Sequence, residues 1–343
     1  MTISLVTREA LRVLENNLVF TKQVNRLYDD KFGVEGAKIG TVLNVRKPPR
    51  YIGRTGQAIS IENSTETQVQ LSLNTQFGVD MQFTSQDLAL SIDDFSDRFI
   101  KPAIATVANK IDADGLALYK DIADSVGTPG TTTADILTYL TGGSRLDDNA
   151  CPMDNQRSII VTPLMQATIV DALKGLFQQA SAIGSQYETG KMGQAIGFNW
   201  FMSQNCNTHT YGTYAGTPLV NGASQTGASL ITDGWTSGAA TLNKGDVFTM
   251  TGVNKVNPQS RANTGRLQQF VLTADVTNVA GAAEENTLPI SPSIITSGPL
   301  QTVTAAPADN ATVTYWNLVA AGTLASVVSP QSLVFHKDFA AFV

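Results

Sequence analysis

A strict alternation of apolar and polar residues runs over positions 69–83. The first set consists of Val69, Leu71, Leu73, Thr75, Phe77, Val79, Met81 and Phe83. Because period two places each set on one face of a strand, the run predicts a half-buried β-strand. At roughly 3.3 Å per residue it would reach about 50 Å, whereas ordinary strands stop near about 5–6 residues. A strand of that length outgrows a compact globule, which favours an arm and an architectural role.

The pattern before this run predicts a helix and two short strands. Apolar residues recur at three- and four-residue spacing over 7–32, with Thr7 as the N-terminal cap. Alternation over 39–45 predicts a strand that Pro48 stops. A second short strand at 59–61, joined by a polar turn to the long alternating strand, completes a predicted hairpin.

A second long helix is predicted to begin at Asp93 and Asp94. Apolar residues then recur at spacing four from Phe95 as far as Ile122. Pro102 lies inside this pattern, and we expect a kink or a fresh start there.

Three shorter elements are predicted after a glycine-containing break at 127–130. The first is a helix that Thr133 caps and that ends at Leu140. A buried strand at 158–162 follows, and Pro163 then starts a helix that ends at Leu173.

Beyond Lys191, glycine, threonine and serine dominate and the apolar runs are short. The β-like runs lie at 247–251, 267–273, 294–295, 300–304 and 312–315. Such runs with turn residues between them predict a small β barrel or sandwich over roughly 220–316. The apolar segment 333–343 is predicted to belong to a core.

Charge is sparse and unevenly distributed. Only 15% of the 343 residues are charged, and the net charge is −6. Residues 1–54 nevertheless hold ten lysines and arginines against five acids. Such a segment can bind its own acidic body, an acidic partner or nucleic acid, and a solvated amphipathic helix explains it equally well. No pattern of a sequence-specific DNA binder is present.

The sequence offers little of the chemistry of catalysis. Its two histidines, His209 and His336, are too few for a histidine-rich metal site, and we expect His336 to be a packed or surface residue. No nucleophile elbow, Walker motif or dinucleotide motif is present. The tripeptide at 244–246 predicts a turn that leads into a strand. We therefore expect no enzyme activity and no cofactor.

Cysteine usage and hydropathy bear on the compartment. Cys151 and Cys206 are no disulfide framework, and we expect free, partly buried thiols in a reducing cytoplasm. The N-terminus lacks the pattern of a signal peptide, and no apolar stretch approaches the ~18 residues of a membrane span. No membrane partner is expected.

Seven phrases run in order along nearly the whole chain, at 7–17, 46–51, 90–102, 108–114, 192–198, 244–258 and 333–338. The first reads TREALRVLENN, and the sixth reads KGDVFTMTGVNKVNP. Together they resemble the major capsid (coat) proteins of tailed bacteriophages, within them the subfamily of short-tailed phages with an inserted β domain. The specificity lies in the number and order of the phrases, since none is a catalytic signature.

The resemblance implies an α+β fold, the tailed-phage major capsid protein fold with an inserted small β-barrel domain. Its parts would be an N-terminal arm (1–48), an extended hairpin loop (49–77), a peripheral domain with a long spine helix (78–130), an axial domain (131–216), the inserted domain (217–316) and a return (317–343). Family members continue past 333–338 with further strands, so we expect an incomplete peripheral domain. Residues 69–77 would be the outgoing arm, and 79–83 would be rooted in the subunit's own sheet.

The function that the resemblance implies is structural. Copies would form hexamers and pentamers of an icosahedral shell around double-stranded DNA, a virion component assembled in the host cytoplasm. Partners would be other copies, a scaffolding protein, a portal and packaged DNA bound non-specifically, with a decoration protein as a further candidate. The candidate contacts between subunits are Arg46, Lys47, Arg50, Arg54, Val69, Leu71, Leu73 and Phe77. The candidate contacts at the inner face, to scaffold or DNA, are Arg8, Arg12, Lys22 and Arg26.

Two other classes of protein stay open. One is a β-rich phage tail protein or surface adhesin that binds a ligand through 217–316. The other is an enzyme such as a polysaccharide lyase or hydrolase, for which acids and serines are plentiful. Neither class needs a long helix after a long ribbon, and this pairing favours the shell protein.

Overall fold

The computed structural model describes residues 3–26, 42–53, 55–59, 61, 66–72, 76–80, 82, 95–133, 135–173, 193–236, 241–277, 285–316, 323–324 and 327–342. The α-helices within these ranges are α1 (Ile3–Asn17), α2 (Phe20–Gln23), α3 (Lys101–Leu116), α4 (Ile136–Asp148) and α5 (Pro163–Leu173). The strands are β1 (Val42–Lys47), β2 (Thr67–Ser72), β3 (Arg157–Val161), β4 (Gln194–Ala195), β5 (Phe198–Met202), β6 (Thr208–Thr210), β7 (Tyr214–Val220), β8 (Gly227–Trp235), β9 (Thr241–Leu242), β10 (Val247–Val256), β11 (Asn263–Leu272), β12 (Val276–Thr277), β13 (Asn286–Ile294), β14 (Val313–Tyr315), β15 (Thr323–Leu324), β16 (Val328–Pro330) and β17 (Leu333–His336).

A four-stranded sheet in the order β17-β3-β5-β4 forms the centre of what we call the body, which also includes α1 to α5. Strand β3 is buried along its whole length, and the predictions of a buried strand at 158–162 and of a helix starting at Pro163 are confirmed. On one face of the sheet, Tyr139 of α4 and Met165 of α5 pack together. On the other face, Phe20 of α2 packs with Phe335 of β17. The predicted core role of the segment 333–343 is thus confirmed for Leu333 and Phe335, and it is wrong for Phe339 and Phe342, which are 37% and 39% exposed.

The prediction of one helix over 7–32 is wrong. The first helix begins before Thr7 and ends ten residues after it, and a separate short helix follows at α2. Residues 27–32 lie outside the described residues.

Asp112 of α3 explains the break. This buried carboxylate accepts hydrogen bonds from the backbone N–H of Val19 at 2.6 Å and of Thr21 at 3.4 Å. A carboxylate at unsatisfied N–H groups caps a helix start. The chain therefore restarts its helix at Phe20 and directs that ring into the core.

A continuous helical segment runs from Phe95 to Asp121. It consists of a π-helical turn (Ser96–Ile100), α3 and a 3-10 turn (Ala117–Asp121). The predicted fresh start at Pro102 is confirmed, since this proline lies in the first turn of α3 and the Lys101 N–H before it bonds to the Ser96 carbonyl. A proline has no N–H to contribute, so the first helical turn accommodates it best. The predicted helix start at Asp93 and Asp94 lies outside the described residues.

Strands β1 and β2 pair in antiparallel register, with Val45 opposite Val69 and Leu43 opposite Leu71. From here on, the arm means residues 42–72, and not the N-terminal arm (1–48) that the resemblance implies. The prediction of one strand over 69–83 is wrong, because β2 ends at Ser72 and residues 76–80 form no strand. Alternation assigns faces, but a strand also needs a partner along its length, and within the described residues β1 supplies six.

The predicted hairpin of 59–61 with the long strand is also wrong. Ile59 and Ile61 lie in no strand, and β2 pairs with β1 instead. The predicted strand at 39–45 is shifted, since β1 covers Val42–Lys47 and 39–41 lie outside the described residues.

Helix α4 differs from its prediction at both ends. Asp135, and not Thr133, is the cap, and its Oδ1 accepts the Leu137 N–H at 3.0 Å. The helix continues past Leu140 to Asp148. Gly142 and Gly143 interrupt the apolar pattern in the sequence, yet both are buried in the helix interior.

A seven-stranded antiparallel sheet, in the order β14-β10-β11-β13-β8-β7-β15, forms the barrel domain, which spans 214–324. The sheet is nearly closed, because a bridge joins Leu219 of β7 to Thr312, the residue before β14. Its interior contains the rings of Trp235, Phe248 and Tyr315, all buried. The predicted β-barrel character of this part of the chain is thereby confirmed.

Two details of the barrel were predicted wrongly. The run at 300–304 forms no strand, and only Val303 makes an isolated bridge, to Lys255. Strands β7 and β8 and most of β13 were missed because glycine, proline and polar residues interrupt their apolar positions.

A short ladder leads into the barrel domain and out of it, and we call it the stem. On the body side β6 pairs with β16, and on the barrel side β7 pairs with β15. The chain thus enters and leaves the barrel along strands that are bonded to each other.

Both cysteines are free thiols, as expected. Burial raises the pKa of Cys206 to about 11, so this side chain stays protonated and unreactive near neutral pH. Across the parts of the chain that the structure describes, no helix combines the length and the apolar character needed to cross a membrane.

Candidate functional site

The arm has one apolar and one polar face. Strand register places Val45 and Val69 on one face, together with the backbone positions Leu43 and Leu71. Arg46 and Gln68 lie opposite each other on the other face. Val69 is 44% exposed. The structure therefore places two of the predicted apolar contacts, Val69 and Leu71, on one face and leaves the Val69 side chain partly exposed.

The loop of the arm exposes large apolar side chains. Ile59 is 81% and Ile61 88% exposed, and Tyr51 and Ile52 are exposed as well. Beyond β2, the predicted contact Phe77 is 46% exposed. Each such side chain gains about 1.5–3 kcal/mol when it is buried, so this loop is a candidate interaction surface.

Ile59 and Ile61 were missed as contact residues by the sequence reasoning, which assigned them to a strand. A signal was present in the sequence. Two isoleucines stand in a stretch of glycine, serine, threonine and other polar residues that offers no core-facing period.

The basic residues of the arm are also exposed. Arg46 forms an ion pair with Glu66 at 3.3 Å, and both side chains are open to water. An exposed pair of this kind contributes little to folding, so Arg46 can exchange its partner. Lys47 and Arg50 are exposed, whereas the predicted contacts Arg54 and Leu73 lie outside the described residues.

The four candidate inner-face cations lie at the N-terminal end of the chain. Arg8, Arg12, Lys22 and Arg26 are all exposed. Arg12 donates to the Glu9 carboxylate at 2.6 Å, and this hydrogen bond lowers the pKa of Glu9. Glu9 also accepts a hydrogen bond from the Ser96 hydroxyl at 3.0 Å, which fastens α1 to the long helical segment.

A buried acid–base network lies where the long helical segment meets the barrel. The Tyr119 hydroxyl lies 3.2 Å from Nδ1 of His209, and Nε2 of the same ring lies 3.0 Å from Oδ1 of Asp246. Asp246 also accepts the backbone N–H groups of Gly212 at 3.1 Å and of Asn243 at 2.8 Å. Burial, followed by the charges of Tyr211 and Asp246, raises the pKa of Tyr119 to about 12.

The geometry of this network suits a structural role, because it connects three segments that are distant in the sequence. Tyr119 and Asp246 engage both ring nitrogens of His209, so that one imidazole joins the long helical segment to the turn before β10. Asp246 closes the predicted turn at 244–246 and leads into β10, as expected. His336 is likewise packed, as predicted, and hydrogen-bonds Asp154 at 3.1 Å.

Further polar contacts dock the barrel on the body. The Lys255 ammonium pairs with Asp124 at 2.6 Å in a largely buried site, and Arg266 pairs with Asp148 at 3.0 Å. A cavity of about 290 Å³ remains beside this junction. Among the described residues, no three His, Cys, Asp or Glu side chains converge as a metal site requires.

Neither a protein-family model nor a curated protein matches the chain. Among solved structures, one from Mycobacterium phage Che8 is similar at 15% identity and a TM-score of 0.40, covering 79% of this chain and 90% of that chain. A structure of the CUS-3 coat protein I-domain is similar at 28% identity and a TM-score of 0.20, covering 31% of this chain and 96% of that chain. The similarities are thus to a phage structure and a coat-protein domain, and TM-scores of this size establish neither a shared fold nor a shared function.

Proposed function

We propose that this chain is a major capsid protein of a tailed bacteriophage, whose copies form the hexamers and pentamers of an icosahedral shell around double-stranded DNA. The observation that carries the proposal is the exposed arm. Its ladder has an apolar face, and its loop exposes Ile59 and Ile61 almost fully. A second copy of the same chain would bury these surfaces. Since a shell repeats each contact many times, modest individual contacts are sufficient for stability.

Two other features support the proposal. The seven phrases that resemble phage coat proteins run in order from 7–17 to 333–338. The structure combines the arm with a long helical segment and a barrel inserted through a two-strand stem. A binding module needs the barrel but neither of the other two elements.

The charges of the arm favour an acidic receiving surface. The arm holds four basic and two acidic residues in its sequence. The long helical segment exposes Asp97, Asp114 and Asp121, which form direct, solvent-exposed ion pairs with lysines of their own chain. Such exposed pairs are weak and exchange readily. We propose that arm arginines pair with acids of the 80–124 segment in an adjacent subunit.

The N-terminal cations Arg8, Arg12, Lys22 and Arg26 would face the inside of the shell. There they would contact a scaffolding protein during assembly in the host cytoplasm and packaged DNA afterwards. The DNA contact would weaken with salt and read no sequence, since it involves phosphates. A portal and a decoration protein are the further proposed partners in the virion.

Expression together with the neighbouring genes tests the proposed assembly. We expect closed shells on the order of tens of nanometres across in negative-stain micrographs, with matching rapid sedimentation. A chain that remains a monomer or trimer under these conditions contradicts the proposal and favours the alternative, a β-rich tail protein or adhesin.

Charge reversal tests the proposed ion pairs of the arm. The double variant Arg50→Glu with Arg54→Glu is expected to abolish shells, because like charges then meet across the interface. The matched control, Arg50→Lys with Arg54→Lys, keeps the charge and is expected to assemble. Gradient sedimentation measures assembly, and circular dichroism shows that the subunit is folded. Normal shells from the glutamate variant would refute the proposed ion pairs but not the proposed capsid function.

A further inference from the structure

One arginine of the barrel domain holds the loop of the arm. Nη2 of Arg261 donates to the backbone carbonyl of Tyr51 at 2.7 Å and to that of Pro299 at 3.3 Å. Nη1 of the same group donates to the Gln259 carbonyl at 3.1 Å. A single guanidinium thus connects the arm to two segments of the barrel, across 210 positions of the sequence.

The turn that presents Arg261 is closed by its own hydrogen bonds. The side-chain oxygen of Asn257 accepts the N–H groups of Gln259 at 2.9 Å and of Ser260 at 3.1 Å. The Arg261 N–H donates to the Asn257 carbonyl at 2.8 Å. Arg261 itself has φ +57°, a backbone conformation that a residue with a side chain adopts only where its surroundings hold it. The guanidinium is therefore presented from a rigid base.

The contact crosses an open cleft. Arg50 and Tyr51 face Ala150, Pro258 and Arg261 around a space of about 400 Å³. Tight packing therefore does not fix the arm at this place. The hydrogen bond from the guanidinium spans the gap, and it acts just past the end of β1, at the loop end of the ladder.

A hairpin that is joined to its subunit only through its two strand ends can swing about them. The six residues of β1 give a ladder of roughly 20 Å, so a swing of about 10° displaces the loop by roughly 3.5 Å. Displacement on that scale separates atoms that would otherwise touch. An attachment at the loop end removes this freedom.

We infer that Arg261 is a positioning residue that fixes the direction of the arm, so that the barrel domain determines how the arm meets an adjacent subunit. The inference rests on the proposed shell function. The inference gives the barrel domain a role in assembly. The barrel would orient the arm for its contact with an adjacent subunit and would not itself form that contact. Arginine suits the role because its planar fork holds several carbonyls at once, whereas a lysine ammonium on a flexible stem does not.

Limited proteolysis of the unassembled full chain tests the attachment. Trypsin cleaves after Arg50, directly before Tyr51. We expect Arg261→Ala and Arg261→Lys to raise the rate of this cleavage about threefold or more, because the freed loop opens more often. Arg266→Ala is the matched control. This arginine leaves from the same barrel hairpin but pairs with Asp148 of α4 and not with the arm.

Four possible results separate the inference from the proposed function. An unchanged cleavage rate in both Arg261 variants overturns the inference, whether or not the wild type forms shells. Faster cleavage with normal shells shows that the arm is loosened without consequence for a neighbour, and it also overturns the inference. Faster cleavage with absent or malformed shells supports it. A wild type that forms no shells refutes the proposed function, and with it the effect on a neighbour.

Discussion

Replacing Asp246 with alanine is expected to lower the free energy of unfolding by about 3–5 kcal/mol. The carboxylate is buried and accepts from His209 and from the backbone N–H groups of Gly212 and Asn243. Alanine leaves all three donors without their buried acceptor, and unsatisfied buried groups are costly. Urea unfolding followed by the fluorescence of the buried Trp235 measures the loss.

The same turn offers a matched control for this prediction. Asp275 also accepts one backbone N–H, that of Lys244 at 2.7 Å, but its side chain is exposed. Asp275→Ala is expected to cost about 1 kcal/mol or less, since water replaces the lost acceptor. Equal losses in the two variants would show that the buried network contributes nothing special to stability.

Replacing Gly115 with alanine is expected to destabilise the protein by about 1–3 kcal/mol, although alanine is the better helix former. A Cβ built at Gly115 of α3 overlaps the ring of Phe20. That ring is buried against Phe335, with 5.5 Å between ring centroids, so it has to shift against packed neighbours. The substitution therefore pushes α2 off the body and exposes the N-terminal segment.

Gly142 provides the opposite result at a similar position. It lies inside α4, and the atom nearest to a Cβ there is Cγ2 of Val334 at 3.6 Å, an ordinary contact. Gly142→Ala is expected to stabilise the protein by about 0.5–1 kcal/mol, as for any compatible helical glycine. Urea unfolding of both variants gives the comparison. In a variant that already carries Phe20→Ala, the further substitution Gly115→Ala should change the free energy of unfolding little. An undiminished loss of stability in that variant would contradict the steric explanation.

The elements that could be predicted are those that local pattern decides. Strand β3 and α5 follow from an apolar run and from a proline at a helix start. The fresh start at Pro102 follows from the missing N–H of proline. What failed depends on partners distant in sequence. Asp112 breaks the first predicted helix from more than ninety positions away, and the pairing of β2 with β1 excludes the nearer candidate at 59–61.

The candidate site divides in the same way. The apolar row through Val69 and the basic residues of the arm were found in the sequence, because alternation and charge are local properties. The contact between Arg261 and Tyr51 carries no local signal, since the arginine stands in an ordinary polar turn. Buried Asp246 was likewise seen only as part of a turn. Its role depends on His209, which another strand supplies.

The stem has a consequence for how such a protein can change. Because β6 pairs with β16 and β7 pairs with β15, the chain returns to the body about 5 Å from where it left, the distance between neighbouring strands. A short turn from Thr210 to Val328 would close that gap and leave the pairing of β3 with β17 unchanged. The segment between them can therefore lengthen, shrink or be exchanged for another module in one genetic event, while the body keeps its strand order.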